Sequence, residues 1–325
     1  MTDGIERLRL AEHFRRRTEM GIEIKEYKVK SSDGIHDLAG VVYLPEGEVK
    51  GFFHVVHGMT EHIARYDRFM RDMASEGYIC FGYDNLGHGH TANNDSELGY
   101  IAKKDGWDLL CRDVKVFSDA VRDEYGKELP YILMGHSMGS FIARLSAEKY
   151  ARPDKLIIMG TGGPNPAAGA GLALIGMIKL FCGDKHFSPL IDSVAFGSYN
   201  KKFGGGTQTD PKPWLTNDED IRAKYYADKF CTFNFTVSAM GDLIRVMKYS
   251  NRAAWYKNLR HDLPVLLVSG EDDPVGNYGK GIVSVEKGLK KQGISAKYVL
   301  YKGARHEILN DFTYDSVKSD ILKFC

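Results

Sequence analysis

Tyr131-Ile-Leu-Met-Gly-His-Ser-Met-Gly-Ser140 is an apolar run that ends in a serine between two glycines. The G-x-S-x-G spacing predicts a β-strand that turns sharply into a helix and exposes Ser137 at the turn. Gly135 and Gly139 carry no side chains, so the backbone can bend tightly around the serine. A purely structural strand-to-helix turn would show the same pattern. Ser137 is therefore a candidate nucleophile whose partners must be found elsewhere in the chain.

The base that activates a serine is usually a histidine, and three histidines follow Ser137: His186, His261 and His306. His261 precedes a predicted strand, where a base would lie at the wrong end of the sheet. His306 comes just after the strand predicted at 297–301, so its loop can carry the imidazole over the carboxyl edge of the sheet. We predict that His306 is the base.

The histidine needs a carboxylate that orients its ring, and with the serine on such an elbow this acid comes between serine and histidine in the chain. The strand predicted at 265–269 is followed by three acids, Glu271, Asp272 and Asp273. Asp273 is the candidate because it lies clear of the strand, just before the stiff turn at Pro274. Asp272 is the second choice and Glu271 the third.

An acyl-transfer site also needs backbone N–H groups that face the negatively charged oxygen of the intermediate. Met138, the residue after the nucleophile, offers one such group. The loop after the strand predicted at 51–56 reads His57-Gly-Met-Thr-Glu-His62 and offers the N–H of Met59. Gly58 lets this loop come close to the elbow. We predict that Met59 and Met138 form the oxyanion hole.

Several motifs of this chain resemble those of the α/β-hydrolase superfamily, in particular the branch of monoacylglycerol lipases and bacterial lysophospholipases. They are His57-Gly58, Glu61-His62, Arg65-Tyr66, residues 84–91 and 135–139, Gly270 with Asp273, and Gly303 with His306. The resemblance covers most of the chain outside its middle third. It implies an eight-stranded, mostly parallel sheet with helices on both faces and a helical lid inserted after strand 6. It also implies the hydrolysis of lipid-like esters without a cofactor.

The resemblance gives Glu61 and Arg65 a candidate role in substrate binding. In relatives of this kind, their region lies near the pocket for the alcohol part of the ester. An acid at the start of a helix and an arginine on the surface would look the same in the sequence. Both interpretations stay open at this point.

Composition narrows the class of partner and the compartment. The 325 residues are 43% apolar and carry a formal net charge of +1, which argues against a nucleic-acid partner. Five scattered cysteines and a first segment without a signal-peptide core favour the cytoplasm, with peripheral membrane contact as a further option. The pair His88-Gly89-His90 has no further Cys or His at metal-site spacing, so we expect no metal.

Strands and helices alternate along most of the chain. Strands are predicted at 23–30, 40–44, 51–56, 79–83, 131–134, 156–159, 265–269 and 297–301, and helices at 63–75, 107–125, 141–150, 279–292 and 314–324. Short apolar strands separated by helices indicate a parallel, doubly wound sheet, and the first two strands predict an antiparallel edge. The alternation stops in the middle of the chain. We therefore predict a hydrolase core at 1–162 and 253–325 and a lid at 163–252.

The lid contains a largely apolar stretch at 167–181. It is shorter than the roughly 20 residues that a transmembrane helix needs. The stretch could touch a lipid surface transiently or line an acyl pocket, and packing on the body of the protein is the alternative.

These residues predict a serine carboxylic-ester hydrolase that forms an acyl-enzyme through Ser137, His306 and Asp273. The resemblance and the apolar stretch favour esters with a single acyl chain, monoacylglycerols or lysophospholipids. An esterase of short-chain or aromatic esters is an alternative, and so is a peptidase or a carbon–carbon hydrolase, because the triad does not select the substrate. The complete triad argues against a non-catalytic binding protein.

Overall fold

The structure is a computed structural model that describes residues 21–325. Its centre is one mixed sheet of eight strands. The strands are β1 (Glu23–Lys30), β2 (Asp37–Leu44), β3 (Gly51–Val56), β4 (Tyr78–Tyr83), β5 (Tyr131–His136), β6 (Lys155–Met159), β7 (Val265–Gly270) and β8 (Ala296–Tyr301). Their spatial order is β1-β2-β4-β3-β5-β6-β7-β8. β1 and β2 pair antiparallel, β2 pairs antiparallel with β4, and β3 to β8 run parallel. The predicted parallel sheet with an antiparallel edge is confirmed.

Helices connect most of the parallel strands. In the described residues they are α1 (Asp67–Ser75), α2 (Gly106–Tyr125), α3 (Met138–Lys149), α4 (Ala168–Cys182), α5 (Pro189–Phe196), α6 (Glu219–Ala227), α7 (Val237–Ser250), α8 (Ala253–Asn258), α9 (Lys280–Lys291) and α10 (Tyr314–Phe324). Four short 3-10 turns lie at Ile63–Tyr66, Asp95–Glu97, Lys201–Phe203 and Ile308–Asn310. The helix predicted at 63–75 thus begins as a 3-10 turn, and α3 begins three residues before its predicted start.

Two apolar clusters cover the two faces of the sheet. Neighbouring side chains of a strand point to opposite faces, so Phe52 joins the cluster with α2 and Phe53 joins the cluster with α1. The ring of Phe53 meets that of Phe69 on α1 edge to face, with 5.6 Å between the centroids. Each large apolar side chain that leaves water contributes about 1.5–3 kcal/mol. Burial on both faces therefore fixes the sheet that positions the site.

The chain between β6 and β7 forms a run of helices, α4 to α8. Helix α7 packs against both α3 and α4. In α4, the buried residues are Ala168 and Ile175, whereas Leu180 and Phe181 are exposed. No helix in the described chain has the length and apolar character needed to cross a membrane.

Candidate active site

Ser137 lies at the elbow between β5 and α3. Its backbone is strained: φ is 53° and ψ is −122°, a combination that residues other than glycine rarely adopt. A Cβ atom on Gly135 would lie 2.1 Å from the carbonyl oxygen of Gly139, and a Cβ on Gly139 would lie 2.1 Å from that of Val56. Both positions therefore require glycine, and the turn presents Ser137 at the carboxyl end of the sheet.

Asp273 and His306 meet beside this elbow. The Nδ1 atom of His306 lies 2.9 Å from Oδ2 of Asp273, and both side chains are buried. The N–H of Val275 donates to the other carboxylate oxygen at 2.8 Å, and the hydroxyl of Ser269 donates to Oδ2 at 3.2 Å. These bonds hold the carboxylate as an acceptor, so Nδ1 carries a proton and Nε2 is left to accept one.

The two other acids of this segment point elsewhere. Asp272 forms a salt bridge with Lys202, which belongs to the segment between β6 and β7. Glu271 is exposed. Of the three acids weighed from the sequence, Asp273 is the one that the fold brings to His306.

Ser137 and His306 line one cavity of about 320 Å³. Its apolar lining includes Phe141, Phe196, Phe233, Phe235, Leu243 and Met247. Its polar lining includes Thr60, Glu61, Asp192, Asn200, Lys212 and Glu307. The apolar side chains come mainly from α3, α7 and the loop before α7, whereas Thr60 and Glu61 belong to the loop after β3. The cavity therefore offers an apolar wall and a polar wall around the serine.

Met59 and Met138 also line this cavity. Met138 is the first residue of α3, so its N–H belongs to the first helical turn, whose donors have no partner within the helix. The partial positive charge of the helix start favours an anion there. A Cβ on Gly58 would lie 3.0 Å from Cβ of Ser137, which shows how closely the loop after β3 approaches the elbow. Both residues predicted to supply oxyanion donors thus line the same cavity as the nucleophile.

Glu61 and Arg65 belong to a buried charge network below the polar wall. Glu61 accepts from the N–H of Gly58 at 2.5 Å and from the Arg65 guanidinium at 2.9 Å. Arg65 also binds both carboxylate oxygens of Glu307, at 2.8 and 2.7 Å. Burial opposes ionisation of both acids, but hydrogen bonds and nearby positive charges outweigh it and lower the pKa of Glu61 and of Glu307. Arg65 is thus largely covered, with 11% of its side chain exposed, and held by two carboxylates, and Glu61 lines the cavity.

His136 joins this network to the loop of His306. The hydroxyl of Tyr66 donates to Glu61 at 2.9 Å, so its oxygen accepts from Nδ1 of His136 at 2.8 Å. The Nε2 atom of His136 faces the backbone carbonyl of His306 at 3.3 Å. Burial disfavours a charged ring, but the contact of Nδ1 with Oε1 of Glu61 at 3.3 Å and the charge of this carboxylate outweigh it and raise the pKa of His136. Both ring nitrogens face acceptors, which is the pattern of an imidazolium.

Sequence reasoning missed the roles of Glu307, His136 and Tyr66 in this network. Glu307 directly follows the predicted base, and the other two lie within motifs already quoted. This adjacency was the available signal. It does not identify the partner, because Arg65 and Glu307 are 242 residues apart in the chain.

Known proteins are similar to this chain in sequence and in fold. Human monoglyceride lipase is 35% identical over 103 residues, 32% of this chain and 32% of that protein, so the matched stretch spans about a third of its length. The monoacylglycerol lipase of Mycolicibacterium smegmatis is 24% identical over 301 residues, which cover 90% of this chain and 97% of that protein. The structure of a thermostable carboxyl esterase from Bacillus coagulans in complex with glycerol superposes with a TM-score of 0.86 at 28% identity, covering 93% of this chain and 97% of that chain.

The sheet order, the strained serine elbow and these neighbours define an α/β-hydrolase fold, as the motifs predicted. The chain belongs to the Hydrolase_4 family, described as serine aminopeptidase, S33, which matches residues 47–313. The predicted resemblance to monoacylglycerol lipases is confirmed by the named relatives.

Proposed function

We propose that this protein hydrolyses lipid esters that carry one acyl chain, with Ser137 as nucleophile, His306 as base and Asp273 as the orienting acid. The observation that carries the proposal is the buried 2.9 Å contact of His306 with Asp273, because His306 and Ser137 line the same cavity. Relatives named monoglyceride lipase and monoacylglycerol lipase support the class of substrate.

In the proposed reaction, Nε2 of His306 takes the hydroxyl proton of Ser137 as the oxygen attacks the ester carbonyl. The N–H groups of Met59 and Met138 donate to the resulting oxyanion, each worth about 3 kcal/mol in the transition state. His306 then gives the proton to the departing alcohol. A water molecule that loses a proton to His306 attacks the acyl-enzyme; as the bond to the serine oxygen breaks, His306 returns the proton to that oxygen, and the fatty acid leaves.

The two walls of the cavity support the assignment of the acyl chain and the alcohol. We infer that the acyl chain lies along Phe141, Phe235 and Leu243, because apolar surface gains free energy when it leaves water. The alcohol then faces the polar wall, where Glu61 is a substrate-binding candidate. Arg65 lies behind Glu61, and we assign it the role of holding Glu61 and Glu307 in place.

Residues 163–252 are proposed to act as a lid over the core predicted at 1–162 and 253–325, of which residues 1–20 lie outside the described part of the chain. Helices α4 and α5 expose large apolar side chains, among them Leu180, 79% exposed, and Phe181, 84% exposed. Such side chains favour transient contact with a lipid surface, where the acyl ester substrate resides.

The proposal is tested with purified protein and a matched set of substrates. Wild type should hydrolyse 1-oleoylglycerol and p-nitrophenyl esters, and Ser137→Ala should lower kcat by about 10⁶-fold. Because the family is described as serine aminopeptidase, alanine p-nitroanilide is the comparison substrate. Faster cleavage of the anilide than of any ester would replace the proposal with a peptidase, and a steep loss beyond short acyl chains would remove the lipid substrate.

A further inference from the structure

Lys212 is a cation in the polar wall of the cavity, on the segment between β6 and β7. Its Nζ atom donates to the hydroxyl of Tyr225 at 3.1 Å and lies 5.0 Å from the centre of the same ring. Tyr225 in turn shares a hydrogen bond of 2.8 Å with Thr60, the residue after Met59. This chain of contacts ties the ammonium to the loop that carries the predicted oxyanion donor.

An ammonium group has three N–H donors, and the contacts of Lys212 within the described residues use one of them on the Tyr225 hydroxyl. Burial favours the neutral amine and lowers the pKa of Lys212, although the charge of Asp192 acts in the opposite direction. An anion that enters the cavity would supply acceptors for the free N–H groups and stabilise the charged form.

In the part of the chain that the structure describes, the charged groups around Lys212 do not use its free N–H groups. Asp192 and Glu307 raise the pKa of Lys212 by their charge, and Arg65 lowers it. Glu307 is already bound by the Arg65 guanidinium through both oxygens, so its charge is largely matched. Asp192 also lines the cavity, but within residues 21–325 it forms no salt bridge with Lys212, so the ammonium keeps N–H groups for a ligand. A ligand anion is therefore the partner that the Lys212 ammonium lacks.

We propose that Lys212 binds an anionic group on the alcohol part of the substrate, and that it thereby favours single-chain esters whose glycerol carries a phosphate over neutral monoacylglycerols. The inference rests on the proposed esterase function, because the apolar wall takes the acyl chain and leaves the alcohol facing Lys212. A phosphate suits this position, since its oxygens can accept more than one N–H of a single ammonium.

The test compares 1-oleoylglycerol 3-phosphate with 1-oleoylglycerol, two esters that differ only in the phosphate. The readout is the ratio of their kcat/KM values in wild type, Lys212→Met and Lys212→Arg. Lys201→Met, at an exposed lysine of the same segment between β6 and β7, is the control. A charge-assisted hydrogen bond predicts a ratio of about tenfold or more in wild type. The ratio should fall to about one in Lys212→Met and persist in Lys212→Arg and Lys201→Met. A wild-type preference for the neutral ester, or an unchanged ratio in Lys212→Met, would overturn the inference.

A binding experiment separates failure of this inference from failure of the esterase proposal. Glycerol 3-phosphate should bind wild type more tightly than glycerol in isothermal titration calorimetry, and the difference should vanish in Lys212→Met. If no ester is hydrolysed but this difference is found, the anion site stands and the proposed reaction does not. If esters are hydrolysed and glycerol 3-phosphate binds no better than glycerol, the reaction stands and the role of Lys212 is refuted.

Discussion

Replacing His136 with glutamine should destabilise the protein at low pH and have a progressively smaller effect as the pH rises. The change removes a ring whose two nitrogens face the Tyr66 oxygen and the His306 carbonyl. In the native cluster, the two carboxylates of Glu61 and Glu307 face two cations, Arg65 and the protonated ring. Glutamine is neutral, so the variant leaves two buried negative charges opposite one positive charge.

The expected size follows from the burial of this cluster. Removing one member of a buried ion network costs about 3–5 kcal/mol, because a charge is left uncompensated. Each hydrogen bond from a charged group contributes about 1.5–3 kcal/mol, and His136 has contacts of this kind with Tyr66, Glu61 and the His306 carbonyl. We therefore expect His136→Gln to lower the free energy of unfolding by about 3 kcal/mol near pH 6.

The sign of the pH dependence follows from the raised pKa of His136. A histidine in the unfolded chain has a pKa of about 6.5, so the stabilisation by the charged ring is fully present below that pH. It is lost as the pH rises through the higher pKa of the folded state. The difference between wild type and variant must therefore shrink toward alkaline pH.

Urea unfolding followed by tryptophan fluorescence between about pH 5.5 and 9 measures this difference directly. His261→Gln, at an exposed histidine, is the matched control and should give a small difference at every pH. A difference for His136→Gln that stays constant or grows with pH would refute the imidazolium. It would leave His136 as a neutral packing residue.

Three further changes test the elbow, the acid and the surface. Asp273→Asn should lower kcat on p-nitrophenyl butyrate by about 10⁴-fold, since it disturbs the tautomer of the base. Asp272→Asn should change kcat little, and equal losses in the two variants would leave the acid unassigned. Gly139→Ala should reduce the yield of folded protein and its melting temperature, because the new Cβ would lie 2.1 Å from a β3 carbonyl oxygen. Gly176→Ala, with open space at its Cβ, should keep both, and similar damage from the two would contradict the steric argument. Phe181→Asp should weaken co-sedimentation with phosphatidylcholine vesicles, and unaltered binding would argue against membrane contact through α4.

The sheet could be predicted almost completely because most of its strands are short and apolar. Parallel strands that are covered on both faces read as continuous hydrophobic runs, and the run at β3 (Gly51–Val56) is buried at every position. The elbow could be predicted equally well, because only glycine fits at positions 135 and 139, where backbone segments come close together beside Ser137. Predicted boundaries differ from those observed by one to three residues at most strands and helices, where hydrogen bonding rather than composition decides the end.

From the sequence, the segment between β6 and β7 could be recognised only as a break in the alternation of strands and helices. Its helices do not share one apolar stripe: α4 buries Ala168 and Ile175 and leaves most other side chains exposed. Their positions depend on the surface that α3 and the sheet offer them. Lys212 lies in this segment with no local pattern around it, so its place in the cavity could not be inferred from neighbouring residues.

The sequence by itself determined the sheet, the serine elbow and the order of nucleophile, acid and histidine, because these depend on local spacing and on residues that only one backbone geometry accepts. Tertiary structure alone decided which acid reaches His306, that Arg65 is held between two carboxylates, and that Lys212 lines the cavity. The physical reason is the distance along the chain over which each effect acts. Steric limits act between neighbours in the chain, whereas the energy of a charge depends on groups that folding brings together from distant segments.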